Sequence, residues 1–260
     1  MSTRDAEHSS SSAGSTMKPA RVLTGRVPPE AIRTLEIRRL PADVLQGYRA
    51  LSDLAGAVSD AMDSLGLRGA IPAAILAPTL PGKSVVGQAI TVRNVERSGE
   101  LLDRVREGRN RMGEHEAYNL ASPGDVIVIQ GIVGVSNMGG QSATVAHRQL
   151  CAGAIIDGSY RDPDASRELA FPIWGKGVTP ITGRWRVETV EINGNVVIAG
   201  IPVAAGDLVV ADDAGVVFVP FDYAEAVLAA ARHVDSADTR QKADIAKGVT
   251  LHDLAKTRYK

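Results

Sequence analysis

Arg161 and Asp162 are adjacent in the chain and form the pair best suited to small-anion chemistry. An arginine guanidinium is permanently charged and can grip a carboxylate and a keto oxygen in one fork. Aspartate is a hard oxygen ligand suited to Mg2+ or Mn2+. A divalent cation bridging a 2-oxo acid stabilises the enolate left when the bond beyond its C3 breaks. Retro-aldol cleavage and decarboxylation of a 3-carboxylated 2-oxo acid need that same enolate, so one site could perform both. An isolated Arg-Asp pair is more often a surface ion pair, and its surroundings must decide between the two readings.

A stretch carrying Gly131, Gly134, Gly139 and Gly140 precedes the pair, and a helix is expected from Gln141 to about Leu150. Glycines let backbone approach a ligand closely, and a helix start directs free N–H groups and partial positive charge at it. Residues Gly139, Gly140, Gln141 and Ser142 are therefore candidate carboxylate binders, with a plain tight turn as the alternative. The loop is not a phosphate-binding Walker sequence, because no Gly-Lys-Ser/Thr follows, and it lacks the G-x-G-x-x-G spacing of a dinucleotide site.

Weaker candidates lie elsewhere. His115 and Glu116 could move protons, although polar helix residues are usually solvated. Asp212-Asp213 before Gly215 could be a metal carboxylate pair or simple turn chemistry. Asp60 could be an acid near a helix start. His147 and Cys151 lie four apart on one expected helix and could pair as base and nucleophile, against the commoner reading of a buried structural cysteine.

The elements that must position these residues follow from local pattern. Met1 to about Lys18 is rich in serine and small polar residues and is expected to be disordered; residues 19–51 read as a linker or short helices. Residues 52–235 read as one α/β domain and 236–260 as a charged tail. A helix should run from Leu54 and end at Gly66. Val85–Val92 should be a strand, a helix from Glu114 should stop near Leu120 before Ser122-Pro123-Gly124, and Asp125–Gln130 should be another strand. Strand, glycine loop, helix and the strand Ala154–Ile156 make a βαβ unit. The glycine loop and Arg161-Asp162 then both lie beyond strand carboxyl ends, where open α/β sheets bind ligands. A short helix is expected around Ala165–Leu169, several short strands through Val219, and a helix from Tyr223 to about Val234.

Composition narrows the classes. The 260 residues suit one sizeable α/β domain. A net charge of -1 gives no reason to expect nucleic acid as a partner. No apolar run approaches the roughly 20 residues that span a bilayer, and the N-terminus lacks the apolar core of a secretory signal. Cys151 is the sole cysteine, so no internal disulfide is possible, and a reducing cytoplasmic setting is expected.

Several motifs in order carry a resemblance. Gly139-Gly-Gln-Ser-Ala-Thr-Val-Ala146, Gly153-Ala-Ile-Ile-Asp-Gly-Ser-Tyr-Arg-Asp162 and Phe171-Pro-Ile-Trp-Gly-Lys-Gly-Val-Thr-Pro180 are similar to the signature stretch of the RraA-like family. The likeness extends from Val58-Ser-Asp-Ala61 through Gly87–Val92 and Pro123-Gly-Asp125 to Gly206-Asp207 and Asp212–Val216. That family includes 4-hydroxy-4-methyl-2-oxoglutarate aldolases and regulators of ribonuclease E activity. The resemblance implies a swivelling β/β/α-type sandwich with a β-rich core, assembled as homotrimers or homohexamers with interfacial active sites. It also implies that Arg161 holds a pyruvate moiety, Asp162 engages Mg2+, amides of the Gly139–Ser142 stretch bind the carboxylate, and Asp157-Gly158 carries the turn presenting the arginine. One position departs: the aldolases carry an acidic residue where this chain has Gly140. The expected activity is a class II aldolase cleaving a 4-hydroxy-2-oxo diacid to pyruvate and a second oxo acid, with oxaloacetate decarboxylation alongside. The alternatives are a non-catalytic regulator binding a ribonuclease or other protein, and a lyase or hydratase for another oxo acid.

Overall fold

A computed structural model of the chain describes residues 22–259; the expectation of disorder over Met1 to Lys18 lies outside them. The strands are β1 (Ala70–Pro72), β2 (Ala77–Pro78), β3 (Val85–Glu96), β4 (Val126–Gln130), β5 (Gly153–Tyr160), β6 (Ile173–Val178), β7 (Val187–Ile192), β8 (Val196–Ile198), β9 (Ile201–Val203), β10 (Leu208–Asp212) and β11 (Gly215–Val219). The helices are α1 (Ala42–Arg49), α2 (Leu54–Ser64), α3 (Leu101–Glu107), α4 (Glu114–Leu120), α5 (Gly140–Arg148), α6 (Pro163–Glu168), α7 (Ala224–Ala246) and α8 (Leu251–Lys256).

One sheet organises the molecule, in the order β1-β11-β10-β3-β4-β5-β6-β2, with β7 alongside β3. Strands β3 to β6 are mutually parallel and the flanking pairs antiparallel. Parallel strands are covered on both faces and so carry continuous apolar runs rather than alternating ones; Val126-Ile-Val-Ile129 and Ala154-Ile-Ile156 are runs of that kind. Period-two geometry sorts their side chains. Val86, Ile90, Val92, Ile127, Ile129, Ala154 and Ile156 meet the helices, while Val85, Ala89, Val126, Val128 and Ile155 meet the opposite layer.

On the helical side, α1, α2 and α7 cover β10 and β11 through Tyr48, Val58, Met62 and Leu228. Helices α4 and α5 cover β3 to β5 through Tyr118, Ala143 and Ala146. The separate β8–β9 hairpin closes the other face with Val196, Ile198 and Val203, beside Trp174 and Phe218. Hairpin, sheet and helices give the three β/β/α layers in a single mixed α/β domain.

Three local expectations are corrected. Strand β5 does not stop at Ile156, and Asp157-Gly158 is not a turn. It lies inside the strand, at a register irregularity between Ile156 and Ser159. Asp-Gly is a local turn signal, but here Asp157 pairs with Lys176 of the neighbouring strand and accepts a hydrogen bond from Ala199 N, so sheet pairing wins. The helix expected to end near Val234 continues to Ala246, and α8 follows where a charged tail was expected. Asp235, within that extension, accepts hydrogen bonds from the backbone and hydroxyl of Ser52. Asp60 lies in the second half of α2, away from its start.

Candidate active site

The carboxyl ends of β4 and β5 set the site. Between β4 and α5 the chain crosses residues 131–139, and the amide of Asn137 pins this loop from within. Asn137 is completely buried. Its Oδ1 accepts from Ile132 N at 3.1 Å, and its Nδ2 donates to the carbonyls of Ile132, Val135 and Ser159 at 2.8, 3.0 and 3.0 Å. Two glycines make room for it: a Cβ on Gly131 or Gly158 would come within 2.6 or 2.7 Å of the Asn137 side chain. Gly158 is therefore required for close approach between strand and loop. Gly134, with φ of 82°, is the loop glycine that needs the left-handed region.

The loop delivers Gly139 to the end of β5, where Arg161 N donates to Met138 O at 3.0 Å. A Cβ on Gly139 would lie 3.1 Å from Arg161 Nε and 3.2 Å from Asp162 Oδ2, so that glycine leaves clearance for the pair. Asp162 adopts the left-handed conformation, φ 58° and ψ 52°, which aspartate tolerates better than most residues. Its Oδ2 accepts from Gly140 N at 2.9 Å and lies 3.3 Å from Arg161 Nε.

Helix α5 thus starts at the pair, but its free amides are fewer than expected. Gly140 N–H is already given to Asp162, leaving the N–H groups of Gln141 and Ser142 as the helix-start donors without an intrahelical acceptor. Both residues line a cavity of about 350 Å3 whose described charged or titratable wall residues are Arg26, Glu114, His115, Arg161 and Arg184. Among the described lining residues three guanidinium groups stand against one carboxylate, which gives the cavity wall a positive balance.

Glu114 was not singled out from the sequence, although it opens a helix that was. It is 4% exposed; its Oε1 accepts from Ser142 Oγ at 3.0 Å, and its buried Oε2 has no hydrogen-bond partner among the described residues. His115 lines the cavity as well, with Nδ1 3.7 Å from Glu114 Oε1, beyond hydrogen-bond range. Arg26 and Arg184 come from segments far from the βαβ unit, and no local pattern marks them.

The remaining candidates separate from the site. Glu116 is completely buried and accepts from Thr24 N and Asn119 Nδ2, which ties the N-terminal segment to α4 and leaves no proton-shuttling position. Asp212 and Asp213 hold backbone: Asp212 accepts from Ala55 N and Ala214 N, Asp213 from Gly82 N. Cys151 lies beyond the end of α5 rather than on one helix with His147. Burial pushes its thiol up to about 12, away from the thiolate form that nucleophilic attack uses.

For a divalent cation, no cluster of three or more His, Cys, Asp or Glu exists among the described residues. Asp162 nevertheless fits one. Its side chain is half exposed, Oδ2 is fixed by Gly140, and Oδ1 accepts no hydrogen bond from the described residues. Mg2+ commonly uses one or two carboxylates, keeping water and substrate oxygens for its other positions.

Comparison with known proteins identifies the lineage. A family model described as RraA-like, Aldolase/RraA, matches residues 55–218. The chain belongs to the RraA-like family. A Halalkalibacterium halodurans protein named "Putative 4-hydroxy-4-methyl-2-oxoglutarate aldolase" is 33% identical over 195 residues, 74% of this chain and 84% of that protein. Protein DlpA of Legionella pneumophila is 26% identical over 75% of this chain, and the match spans only 30% of DlpA. Among solved structures, an uncharacterized Pseudomonas syringae protein superposes with a TM-score of 0.72 at 28% identity, covering 86% of this chain and 97% of its own. Streptomyces coelicolor RraAS2, described as an unusual member of the RNase ES inhibitor RraA family, shares the fold with a TM-score of 0.62 at 24% identity, covering 82% of this chain and 100% of its own. The RraA-like fold so shown is the mixed α/β arrangement described above, and the matched segment contains β3 to β6, α4 to α6 and the Arg161-Asp162 pair.

Proposed function

We propose that this RraA-like chain is a divalent-metal-dependent carbon–carbon lyase. It would cleave a 4-hydroxy-2-oxo diacid, such as 4-hydroxy-4-methyl-2-oxoglutarate, to pyruvate and a second oxo acid, and decarboxylate oxaloacetate as a side activity. The observation that carries this reading is a cavity lined by Arg161, the α5 start, Arg26 and Arg184, with Asp162 beside it, held by Gly140 N and 3.3 Å from Arg161 Nε.

Arg161 would take the 2-oxo acid end, its fork spanning carboxylate and keto oxygen. The Gln141 and Ser142 amides, at the positive end of α5, would share that carboxylate. Arg26 and Arg184 give the cavity charge for a second carboxylate, which favours a diacid over a monoacid. Mg2+ or Mn2+ would be held by Asp162, and when bound supplies Lewis-acid stabilisation of the enolate oxygen. Gly140 N–H fixes Asp162 Oδ2 and leaves Oδ1 for the cation, and Arg161 neutralises charge at the keto oxygen as the bond beyond C3 breaks.

The assembly belonging to this proposal is a homotrimer or homohexamer with sites at subunit boundaries, working in the cytoplasm. Among the described residues no helix is long and apolar enough to cross a membrane. The test is pyruvate release from oxaloacetate by purified protein with Mg2+. Arg161→Ala and EDTA treatment should each lower turnover at least 100-fold, and unchanged turnover in both would remove the proposed site.

A further inference from the structure

The one carboxylate among the described residues of the cavity wall has no structural partner there for one of its oxygens. Glu114 Oε1 is held by Ser142 Oγ at 3.0 Å, but Oε2 is buried and unpartnered, with Glu114 as a whole 4% exposed. Leaving a buried carboxylate oxygen without a donor is costly, and such atoms in folded proteins commonly mark a functional constraint. The surroundings supply that constraint. Ser142, which orients Glu114, lies in the first turn of α5, two residues beyond Gly140, whose N–H holds Asp162. Glu114 and Arg161 line the same cavity. Buried, oriented and facing an anion site, Glu114 has the attributes of a proton carrier.

We propose that Glu114 is a catalytic residue of the lyase reaction, carrying one proton from the C4 hydroxyl of the substrate to C3 of the pyruvate enolate. This rests on the lyase reading above. In the cleavage direction the Glu114 carboxylate accepts the C4 hydroxyl proton as the C3–C4 bond breaks. The O–H electrons form the C4 carbonyl of the departing oxo acid, and the C3–C4 pair becomes the enolate. Protonated Glu114 then returns the same proton to C3, giving pyruvate and restoring the carboxylate. No other reactant is consumed. The first residues of α5, Gly140, Gln141 and Ser142, bring no carboxylate to the site, and Glu114 reaches the same cavity from α4. His115 is the other titratable group able to carry a proton on the wall, but its side chain is about one-third exposed and is not held by Ser142.

Exchange of the pyruvate methyl protons in D2O with Mg2+, followed by NMR, isolates the C3 proton transfer from bond cleavage. Glu114→Gln keeps the size of the side chain and an oxygen for Ser142 Oγ, and should slow exchange roughly 100-fold or more, the usual weight of a general acid–base. Pyruvate affinity by calorimetry should stay within about threefold, which separates proton transfer from a structural role. Exchange in Glu114→Gln within threefold of the unmodified protein overturns the assignment, as does loss of exchange in His115→Gln with Glu114→Gln unaffected. Should the unmodified protein neither bind pyruvate nor exchange its protons, the lyase reading itself falls and takes this assignment with it.

Discussion

Gly140 opens α5 and gives its N–H to Asp162, and the structure supplies a packing reason for glycine there that can be tested. A Cβ built there would sit 2.9 Å from Ala165 Cβ on α6, 3.3 Å from Asp162 Cβ and 3.5 Å from Asp162 Oδ2. The first of these is closer than real Cβ atoms come, so α6 must shift against α5. Replacing glycine by alanine inside a helix ordinarily stabilises by up to about 1 kcal/mol, less at a first helical position. Overpacking of this kind costs about 1–3 kcal/mol, so Gly140→Ala should lose about 1–2 kcal/mol net. For a chain of this size that lowers the melting temperature by roughly 2–8 °C. Because the shift carries Asp162 away from Gly140 N, oxaloacetate turnover should fall as well. The cycle with Ala165→Gly decides the cause. Removing the opposing methyl should recover about 1 kcal/mol or more of coupling in the double variant. An acid at 140 meets the same atoms, so Gly140→Asp alone should not raise turnover. If Gly140→Ala melts higher than the unmodified protein, or the two substitutions are additive, crowding against α6 is not why glycine stands there.

Two further outcomes follow from the same geometry. Asn137→Ala strips the buried loop of its internal partners and leaves the Ser159 carbonyl without one of its donors, so urea unfolding should show a loss of at least about 2 kcal/mol, with turnover falling further as the Gly139 backbone drifts; a loss under about 0.5 kcal/mol would mean the loop is held some other way. Glu191 tests the N-terminal attachment. Burial opposes its ionisation, but hydrogen bonds from Arg33 and Arg93 outweigh that and hold its carboxyl below the ordinary 4.5. A depressed carboxylate stabilises above its unfolded value and loses that contribution as pH falls through the folded value. The melting temperature of the unmodified protein should therefore exceed that of Glu191→Gln near neutrality, with the gap closing below pH 4.5; a gap constant with pH would refute the linkage.

Read alone, the sequence determined the βαβ unit and where the Arg161-Asp162 pair lies on it. Continuous apolar runs at Val126–Ile129 and Ala154–Ile156 require strands covered on both faces. The intervening glycine loop and helix require a βαβ unit, and that unit places Arg161 and Asp162 at a strand's carboxyl end. These are local patterns of period and composition, legible without neighbours. Tertiary structure decided what depends on distant partners. Asp157-Gly158 reads locally as a turn, yet pairing with β6 keeps it in a strand. Glu116 looked as suited to proton transfer as its neighbours until Thr24 and Asn119 claimed its oxygens. Glu114, two residues earlier at the start of α4, became the conspicuous group only because Ser142 takes one oxygen and no described residue takes the other. Arg26 and Arg184 reach the cavity from segments with no motif, because a binding wall is assembled by chain crossings that sequence spacing does not record. Asp162 shows both sources at once: its type and position were written in the sequence, while the backbone amide that orients it comes from a glycine whose missing side chain only packing explains.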